Sequence, residues 1–240
     1  MSEAVEVLRQ FKGFSYFTEM SDIINRLEDH VASARMKTTP VIDFEKNESL
    51  KGLDYLDTIY HAIVNEHPIQ LKYRSFKARS ANSFIFYPYL LKEYRNRWFV
   101  YGVRGNGRIL QNLALDRIQS LEVLPQEHYI KNTFFDPNTF FDDLVGVTKN
   151  TGSVAEKVGF KVAAAEAPYI ITKPIHRSQQ VVERLADGSV ILEIEVVINH
   201  ELERVFFGYA EGIQVLYPKT LVELMGRKLK KAAEQYTHSK

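Results

Sequence analysis

The chain has 240 residues, of which 45% are apolar, so it is long enough to bury a sizeable core and to form two small domains. It contains no cysteine, which excludes disulfide bonds, cysteine nucleophiles and cysteine-based zinc sites. The net charge is only +1, but positions 69 to 120 hold ten basic and two acidic residues, which gives that segment +8 and leaves −7 for the rest.

Residues 1–66 are predicted to form a helical connector. Apolar residues recur at steps of three and four over residues 20–31, which is the spacing of one helix face. A second apolar stripe over residues 53–64 predicts another helix, which ends before Pro68.

Residues 67–126 contain four short runs of β-branched and aromatic residues. The runs cover residues 69–75, 84–90, 97–101 and 113–118. Such runs, separated by glycine, asparagine or serine, are typical of antiparallel strands. Gly105, Asn106 and Gly107 predict a hairpin turn, because Asn-Gly tolerates positive φ at both central positions. We therefore expect a small closed β-barrel or a tightly curled sheet.

Most of the basic charge lies in the same segment. Its basic residues are Lys72, Arg74, Lys77, Arg79, Lys92, Arg95, Arg97, Arg104, Arg108 and Arg117. A basic, aromatic-rich β-module attracts phosphate and offers rings that stack with bases. The alternative is that these side chains are ordinary solvated groups that keep strand edges from pairing.

Residues 127–153 are predicted to form an aromatic linker. It contains Phe134, Phe135, Phe140 and Phe141 with little periodicity. These rings are expected to pack either within their own fold, which is the more common case, or on a partner chain. Residues 149–153 are polar and rich in turn formers, which places the domain boundary there.

Residues 154–240 follow a βαββαβα pattern. The predicted strands cover residues 158–163, 181–185, 190–198 and 213–216, and the predicted helices cover residues 166–172 and 201–210 and a last helix opened by Pro218. This order suggests a ferredoxin-like sandwich, so the fold class of the whole chain is α+β. The last helix is expected to bury one stripe, formed by Leu221, Leu224, Met225, Leu229, Ala232 and Tyr236.

Four ordered elements of the basic segment resemble the signature of the WYL domain. They are Tyr73 in an extended strand, the run from Pro88 to Leu91, the strand Trp98-Phe99-Val100, and the run Leu115-Asp116-Arg117-Ile118. Phe84 stands where many members carry an arginine, four residues before the proline. The resemblance implies a small barrel of the SH3 or Sm type, with Pro88, Trp98 and Asp116 as structural signature residues.

The C-terminal segment is similar to the extension that accompanies many WYL domains in transcriptional regulators. The similar features are the run from His176 to Gln179, the Asp187-Gly188 hairpin, Glu201-Leu202 and residues 215–218. The resemblance also implies a winged helix-turn-helix, which this sequence does not match. We therefore expect either a fragment or truncation, or a partner that supplies DNA binding.

A ligand-binding site is predicted on the barrel. Its candidate residues are Tyr73, Ser75, Arg95, Arg97, Arg108 and Arg117. Tyr73 and Ser75 share strand parity, and guanidinium groups present fork-shaped donors that suit phosphate. The alternative is that Arg117 pairs with Asp116 or caps the strand end, while Trp98 is assigned mainly to the core.

The leading hypothesis is a regulatory sensor in transcription. The barrel would bind a nucleotide or short single-stranded nucleic acid, the C-terminal domain would mediate homodimerisation, and DNA would be contacted only through a winged helix outside this chain. The alternative is a protein-interaction scaffold whose basic face contacts a protein partner.

Enzymatic and membrane roles are not predicted. The sequence has no His-Glu-x-x-His motif, no Gly-x-Ser-x-Gly elbow and no phosphate-binding Gly-Lys-Ser/Thr loop, so we expect no catalysis, no metal and no cofactor. No apolar run approaches the roughly 18 residues that span a bilayer, and the first residues do not form a signal peptide. A cytoplasmic protein without membrane contact is therefore expected.

Overall fold

The computed structural model describes residues 51–105, 109–150 and 152–237. The chain divides into two compact units, Met1–Phe134 and Phe135–Lys240, called the first and the second unit below. The helices predicted within residues 1–50 lie outside the described residues. So do Asn106 and Gly107 of the predicted hairpin turn, and the candidate ligand residue Arg108.

The described part of the first unit contains one α-helix and five strands. A 3-10 turn, Leu53–Tyr55, leads into helix α1, Leu56–Val64. The strands are β1 (Ile69–Tyr73), β2 (Asn82–Tyr94), β3 (Arg97–Arg104), β4 (Leu110–Ala114) and β5 (Ile118–Val123). A second 3-10 turn, Leu115–Arg117, connects β4 to β5.

These five strands form one antiparallel sheet in the order β4-β3-β2-β1-β5. Within the described residues no pairing joins β4 to β5. Of the two forms that we predicted, the tightly curled sheet stays a prediction, and the closed barrel is therefore wrong. The physical reason is the 3-10 turn, which interrupts the chain after β4 and directs β5 onto β1, where Ile118 lies opposite Tyr73. The assignment to the SH3 or Sm type stays a prediction.

The core of the first unit lies between α1 and the sheet. The helix contributes Leu56, Ile59 and Ala62, which recur at steps of three and therefore share one face. They pack against buried strand residues such as Phe86 and Val100. Half-buried Trp98 packs against the same cluster.

The second unit has the predicted βαββαβα order. Its elements are β6 (Glu156–Val162), α2 (Ala167–Thr172), β7 (Gln180–Arg184), β8 (Val190–Val196), α3 (His200–Gly208), β9 (Ile213–Tyr217) and α4 (Lys219–Thr237). The strands form an antiparallel sheet in the order β7-β8-β6-β9. The α+β class with antiparallel sheets is thereby confirmed, and the ferredoxin-like assignment stays a prediction.

Asn199 joins the start of α3 to the segment before β6. Its side-chain Oδ1 accepts a hydrogen bond from the Leu202 N–H at 2.9 Å, which caps the helix. Its Nδ2 donates to the carbonyl oxygens of Val145 and Thr148, at 3.0 and 2.9 Å. One buried side chain therefore satisfies three backbone groups.

The buried stripe predicted for α4 is wrong in its second half. Leu221 and Met225 are buried, but Leu229 is 42% exposed and Tyr236 is 86% exposed. At 1.5 Å per residue a 19-residue helix is about 28 Å long, whereas the five-residue strand β9 spans roughly 17 Å. The helix is longer than the strand beside it, so the C-terminal end of the stripe extends past β9 and stays exposed. None of the described helices combines the length and apolar character needed to cross a membrane.

Candidate functional site

Asp116 lies at the centre of the predicted site, in the 3-10 turn between β4 and β5. Its Oδ2 lies 3.2 Å from Nε of Arg97, the first residue of β3, and its Oδ1 lies 3.7 Å from Nε of Arg117. One carboxylate thus faces two guanidinium groups, which leaves this trio a net charge of +1. The two arginines stay partly accessible, with 47% and 27% of their side chains exposed.

This turn is held by a close backbone approach. Gly52 precedes the first 3-10 turn with φ of 87°, a conformation that glycine adopts without strain. A Cβ at this position would lie 2.5 Å from the carbonyl carbon of Leu115 and 2.7 Å from the Asp116 nitrogen. Gly52 therefore lets the chain before α1 rest directly on the turn that carries Asp116.

The pairing inside the trio is incomplete. Asp116 Oδ1 and Arg117 Nε are both buried, and neither has a hydrogen-bond partner among the described residues. Their separation of 3.7 Å is longer than a hydrogen bond. Each unmade bond of a buried polar group costs about 1–3 kcal/mol, so this incomplete pairing lowers the stability of the turn.

Tyr73 joins the trio from the end of β1. Burial raises the pKa of the Tyr73 phenol above its ordinary value, while the charge of Arg117 and a hydrogen bond to it act in the opposite direction. The phenol is therefore protonated at neutral pH. It stands beside Arg117 as a neutral hydroxyl that can donate to an anion.

Ser75 lies in the loop after β1, and its neighbour Phe76 is a site residue that the sequence prediction missed. The Ser75 carbonyl accepts a hydrogen bond from the Ala78 N–H at 3.0 Å, which closes a turn with Phe76 at its centre. Phe76 is 73% exposed, and the Arg117 guanidinium carbon lies 4.5 Å from its ring centroid. The sequence does contain a signal for this residue, because an aromatic residue among basic ones, here at positions 74, 77 and 79, is typical of nucleic-acid binding.

Arg95 is not brought to this trio. It forms a two-residue turn with Asn96 between β2 and β3, and both residues have positive φ, 50° and 58°. Its guanidinium lies 5.4 Å from the ring centroid of Tyr94. No contact among the described residues joins Arg95 to Asp116.

Phe84, four residues before Pro88, is approached by an arginine from another strand. The guanidinium of Arg104, the last residue of β3, lies 4.1 Å from the Phe84 ring centroid. This cation–π contact places positive charge beside Phe84 without a basic residue at that position.

Pro88 and Tyr89 form a bulge in β2 on which an aromatic cluster packs. The Tyr129 hydroxyl donates to the Pro88 carbonyl, and the Tyr129 ring meets Tyr89 edge-on with centroids 6.1 Å apart. Tyr89 is only 7% exposed, and its hydroxyl has no hydrogen-bond partner among the described residues. Burial, followed by the nearby Tyr87, raises the pKa of Tyr89 to about 12.

The described residues contain no candidate metal-binding cluster. No group of three or more histidine, aspartate or glutamate side chains within residues 51–105, 109–150 and 152–237 is arranged to hold a metal ion. The absence of catalysis and of a cofactor stays a prediction.

Two family models match the chain. The model of the WYL domain matches residues 54–123, and the model of the WCX domain matches residues 155–233. A search of curated proteins finds no significant match.

Solved structures show more distant similarity. The proteasome accessory factor B/C (PafBC) of Arthrobacter aurescens is 16% identical, with a TM-score of 0.31, and the match covers 80% of this chain and 28% of that one. A CRISPR Cas-related protein is 12% identical, with a TM-score of 0.46, and the match covers 78% of this chain and 52% of that one. The chain spans less than two thirds of either protein, and similarity at this level carries no functional inference.

The family models agree with the motifs in the sequence. The WYL match includes Tyr73, Pro88, Trp98 and Asp116, and the WCX match includes the βαββαβ elements of the second unit. The resemblance is thereby confirmed: the chain carries a WYL domain and, after it, a WCX domain.

Proposed function

We propose that this chain is the sensing and dimerisation portion of a transcriptional regulator, and that its WYL domain binds a nucleotide or a short single-stranded nucleic acid. The observation that supports this proposal best is the single carboxylate of Asp116 shared by Arg97 and Arg117. The trio carries one uncompensated positive charge in a partly accessible position, which is the electrostatic requirement for phosphate binding.

The chemistry of the site favours an anionic phosphate over a neutral ligand. The Nε atoms of both arginines are the ones nearest to Asp116, and 47% of the Arg97 side chain and 27% of the Arg117 side chain stay exposed, so part of each arginine is accessible to phosphate oxygens. The Tyr73 hydroxyl adds a neutral donor beside Arg117. Exposed Arg74, Lys77 and Arg79 in the next loop supply further charge along which a phosphate backbone can lie.

The second unit is proposed to transmit the bound state through a homodimer. A ligand signals only if it binds one arrangement of the dimer better than another. Exposed apolar side chains on the second unit, such as Val181, Val182 and Leu229, are consistent with a surface that a second copy covers. Contact with DNA would then be indirect, through a winged helix in the same regulator or in a partner.

Titration with labelled oligothymidylate at two salt concentrations tests the ligand proposal. We expect binding at low salt and a steep loss of affinity when the salt is raised, because phosphate contacts release counterions. Trp98 is the single tryptophan of the chain and directly follows Arg97, so its fluorescence gives a second, label-free signal. Absence of binding at low salt contradicts the proposal and favours a surface that contacts protein.

A further inference from the structure

Phe76 presents an aromatic ring to solvent in a loop that also carries the basic residues Arg74, Lys77 and Arg79. Burial of a phenylalanine is ordinarily one of the larger favourable contributions to folding, yet 73% of this residue is exposed. The ring is displayed at the centre of the hydrogen-bonded turn closed by Ser75 and Ala78. Its position is thus defined by the backbone, while most of its surface stays open to solvent.

Two contacts tie this ring to the anion site. The Arg74 N–H donates to the Arg117 carbonyl at 3.1 Å, which attaches the start of the loop to the 3-10 turn. The Arg117 guanidinium then lies 4.5 Å from the ring centroid of Phe76 and also pairs with Asp116. One arginine therefore borders both the ring and the charged trio.

We propose that Phe76 determines the specificity of the site by stacking one nucleobase, while Arg97 and Arg117 hold the adjoining phosphate. This inference rests on the proposed function and narrows it to ligands that carry both a base and a phosphate. An aromatic ring stacks with any base, because every base has a π-face, so the platform selects for an accessible base and not for a sequence.

The arrangement discriminates between classes of anion. Inorganic phosphate or a sugar phosphate can use the two arginines but leaves the ring of Phe76 exposed. A duplex presents phosphates as well, but its base faces are stacked inside the helix and do not reach the ring. A single-stranded oligonucleotide or a nucleotide satisfies both parts, and the charges of Arg74, Lys77 and Arg79 follow its backbone.

The test compares oligothymidylate with an abasic oligomer of equal length and phosphate number, at one low salt concentration. We expect the unmodified protein to bind oligothymidylate about tenfold more tightly, which is the size of one base–aromatic stack. Phe76→Ala should abolish this preference and leave the affinity for the abasic oligomer unchanged. Phe76→Trp should keep or enlarge it, because a larger ring stacks more strongly.

Tyr169→Ala is the matched control. Tyr169 lies in α2 of the second unit and is 70% exposed, so its removal deletes a ring of similar exposure away from the basic loop. This variant should keep the tenfold preference. Thermal unfolding of each variant verifies that the substitutions leave the fold intact.

The outcomes separate this inference from the proposed function. If Phe76→Ala binds both oligomers and keeps the tenfold preference, the stacking role is overturned and the anion site stands. If Phe76→Ala weakens both oligomers equally, the ring acts by positioning Arg117, and the specificity role is overturned as well. If the unmodified protein binds neither oligomer, the proposed function fails, and the inference fails with it.

Discussion

The two units use their polar side chains in different ways. In the second unit these side chains bind backbone: Asn199 caps α3 and holds two carbonyls, and Asp187 accepts the Ser189 N–H in the β7–β8 hairpin at 2.9 Å. In the first unit Asp116, Arg97 and Arg117 face one another, and two of their polar atoms have no hydrogen-bond partner among the described residues. The polar groups that cap and close elements of the second unit are thus paired with backbone, whereas two polar atoms of the candidate site are buried without a hydrogen-bond partner in the described part of the chain.

Glu201 shows that the contrast is one of degree. Its Oε1 accepts a hydrogen bond from the Thr148 hydroxyl at 2.8 Å, but its Oε2 is buried without a partner within the described part of the chain. A carboxylate oxygen of this kind is a cost to the second unit. It is the single such atom among the described residues of the second unit, whereas two of the three in the described part of the first unit, Asp116 Oδ1 and Arg117 Nε, belong to the same charged trio.

The exposed surfaces of the units also differ. The first unit exposes the aromatic Phe76 among cationic side chains, which suits an anionic ligand. The second unit exposes Val181 and Val182 on the edge strand β7, and Leu229 and Tyr236 on α4, which suit a protein surface. The division predicts that substitutions in one unit change ligand binding and those in the other change assembly or stability.

The largest effect is expected from Phe140→Ser combined with Phe141→Ser. These rings lie 5.0 Å apart, and we predict that they contribute to a homodimer interface. Two aromatic anchors at an interface contribute roughly 4 kcal/mol together, so the dimer should dissociate at micromolar concentration. Light scattering should then show the monomer mass of 27.7 kDa, and twice that mass for the unmodified chain.

Circular dichroism separates dissociation from unfolding in this experiment, because Phe140 also contacts Phe135, with centroids 4.6 Å apart. Tyr169→Ser is a matched control, since it removes an exposed ring from α2 of the second unit and leaves the phenylalanines in place. A mass of 27.7 kDa for the unmodified chain at tens of micromolar would contradict the dimer.

Asn199→Ala should produce the largest loss of stability among the single substitutions proposed. It removes the cap of α3 and leaves the carbonyls of Val145 and Thr148 without their donor, so the free energy of unfolding should fall by about 3 kcal/mol. Denaturant unfolding followed by far-ultraviolet circular dichroism measures the change.

Asn199→Asp refines that prediction. Aspartate keeps the oxygen that caps the helix but lacks the amide donor, so it should recover only the capping part of the loss. Trp98 lies in the first unit, and its fluorescence transition should shift little in either variant. An equal shift of the tryptophan transition would show that the two units unfold together.

The sequence predicted the second unit closely because its patterns were regular. Strand β8 was predicted over residues 190–198 and spans Val190–Val196, and the Asp187-Gly188 turn lies where it was predicted. In the first unit residues 113–118 were predicted as one run, but β4 ends at Ala114 and β5 begins at Ile118. Fully buried Leu115 lies in the turn between them, so the apolar pattern continues although the strand does not.

The candidate site was predictable in its residue types but not in its pairing. Tyr73, Ser75, Arg97 and Arg117 were predicted to converge. The structure brings Arg97 and Arg117 to Asp116 and Tyr73 to Arg117, whereas Ser75 closes a turn in the next loop. The Asp116 carboxylate faces both arginines only because the start of β3 lies close to a turn that comes 19 positions later in the chain. No local sequence pattern predicts this approach, and none predicts the backbone turn that leaves Phe76 exposed.

Arg117→Ala should weaken oligothymidylate binding about tenfold, because it removes a charge-assisted donor from the site. Stability should change little, since the pairing of Arg117 with Asp116 is long and incomplete. Arg95→Ala is the comparison: it removes the same charge from the same unit, but Arg95 lies in the hairpin turn beside Tyr94. Arg95→Ala should weaken oligothymidylate binding only about twofold, because it removes a general electrostatic attraction and no specific contact.

Equal losses for Arg117→Ala and Arg95→Ala would mean that the basic surface acts only as a diffuse positive field. The contrast between a defined site and a solvated surface would then fail for the first unit. Measuring both variants at two salt concentrations strengthens the comparison, because a purely diffuse effect should disappear at high salt for both.

The smallest effect is expected from Tyr89→Phe, which tests whether every unpaired polar group of the first unit belongs to the ligand site. The Tyr89 hydroxyl is buried without a partner within the described residues, and it lies in the cluster with Tyr129 and Phe134. Its removal should raise the free energy of unfolding by about 1 kcal/mol and leave oligonucleotide affinity unchanged.

The pH dependence gives the same prediction a second readout. Because burial raises the pKa of Tyr89 to about 12, the unfolded chain releases this proton from its ordinary pKa of 10.0, and the folded chain holds it longer. Titration of Tyr89 therefore leaves the free energy of unfolding unchanged below pH 10 and lowers it as the pH rises from 10 towards 12. Burial raises the pKa of Tyr129 too, so Tyr89→Phe should reduce the alkaline loss of stability without removing it. Two results would contradict a purely structural role for Tyr89. One is a free energy of unfolding that falls equally steeply between pH 10 and 12 in Tyr89→Phe and in the unmodified chain, and the other is weaker oligonucleotide binding by the variant.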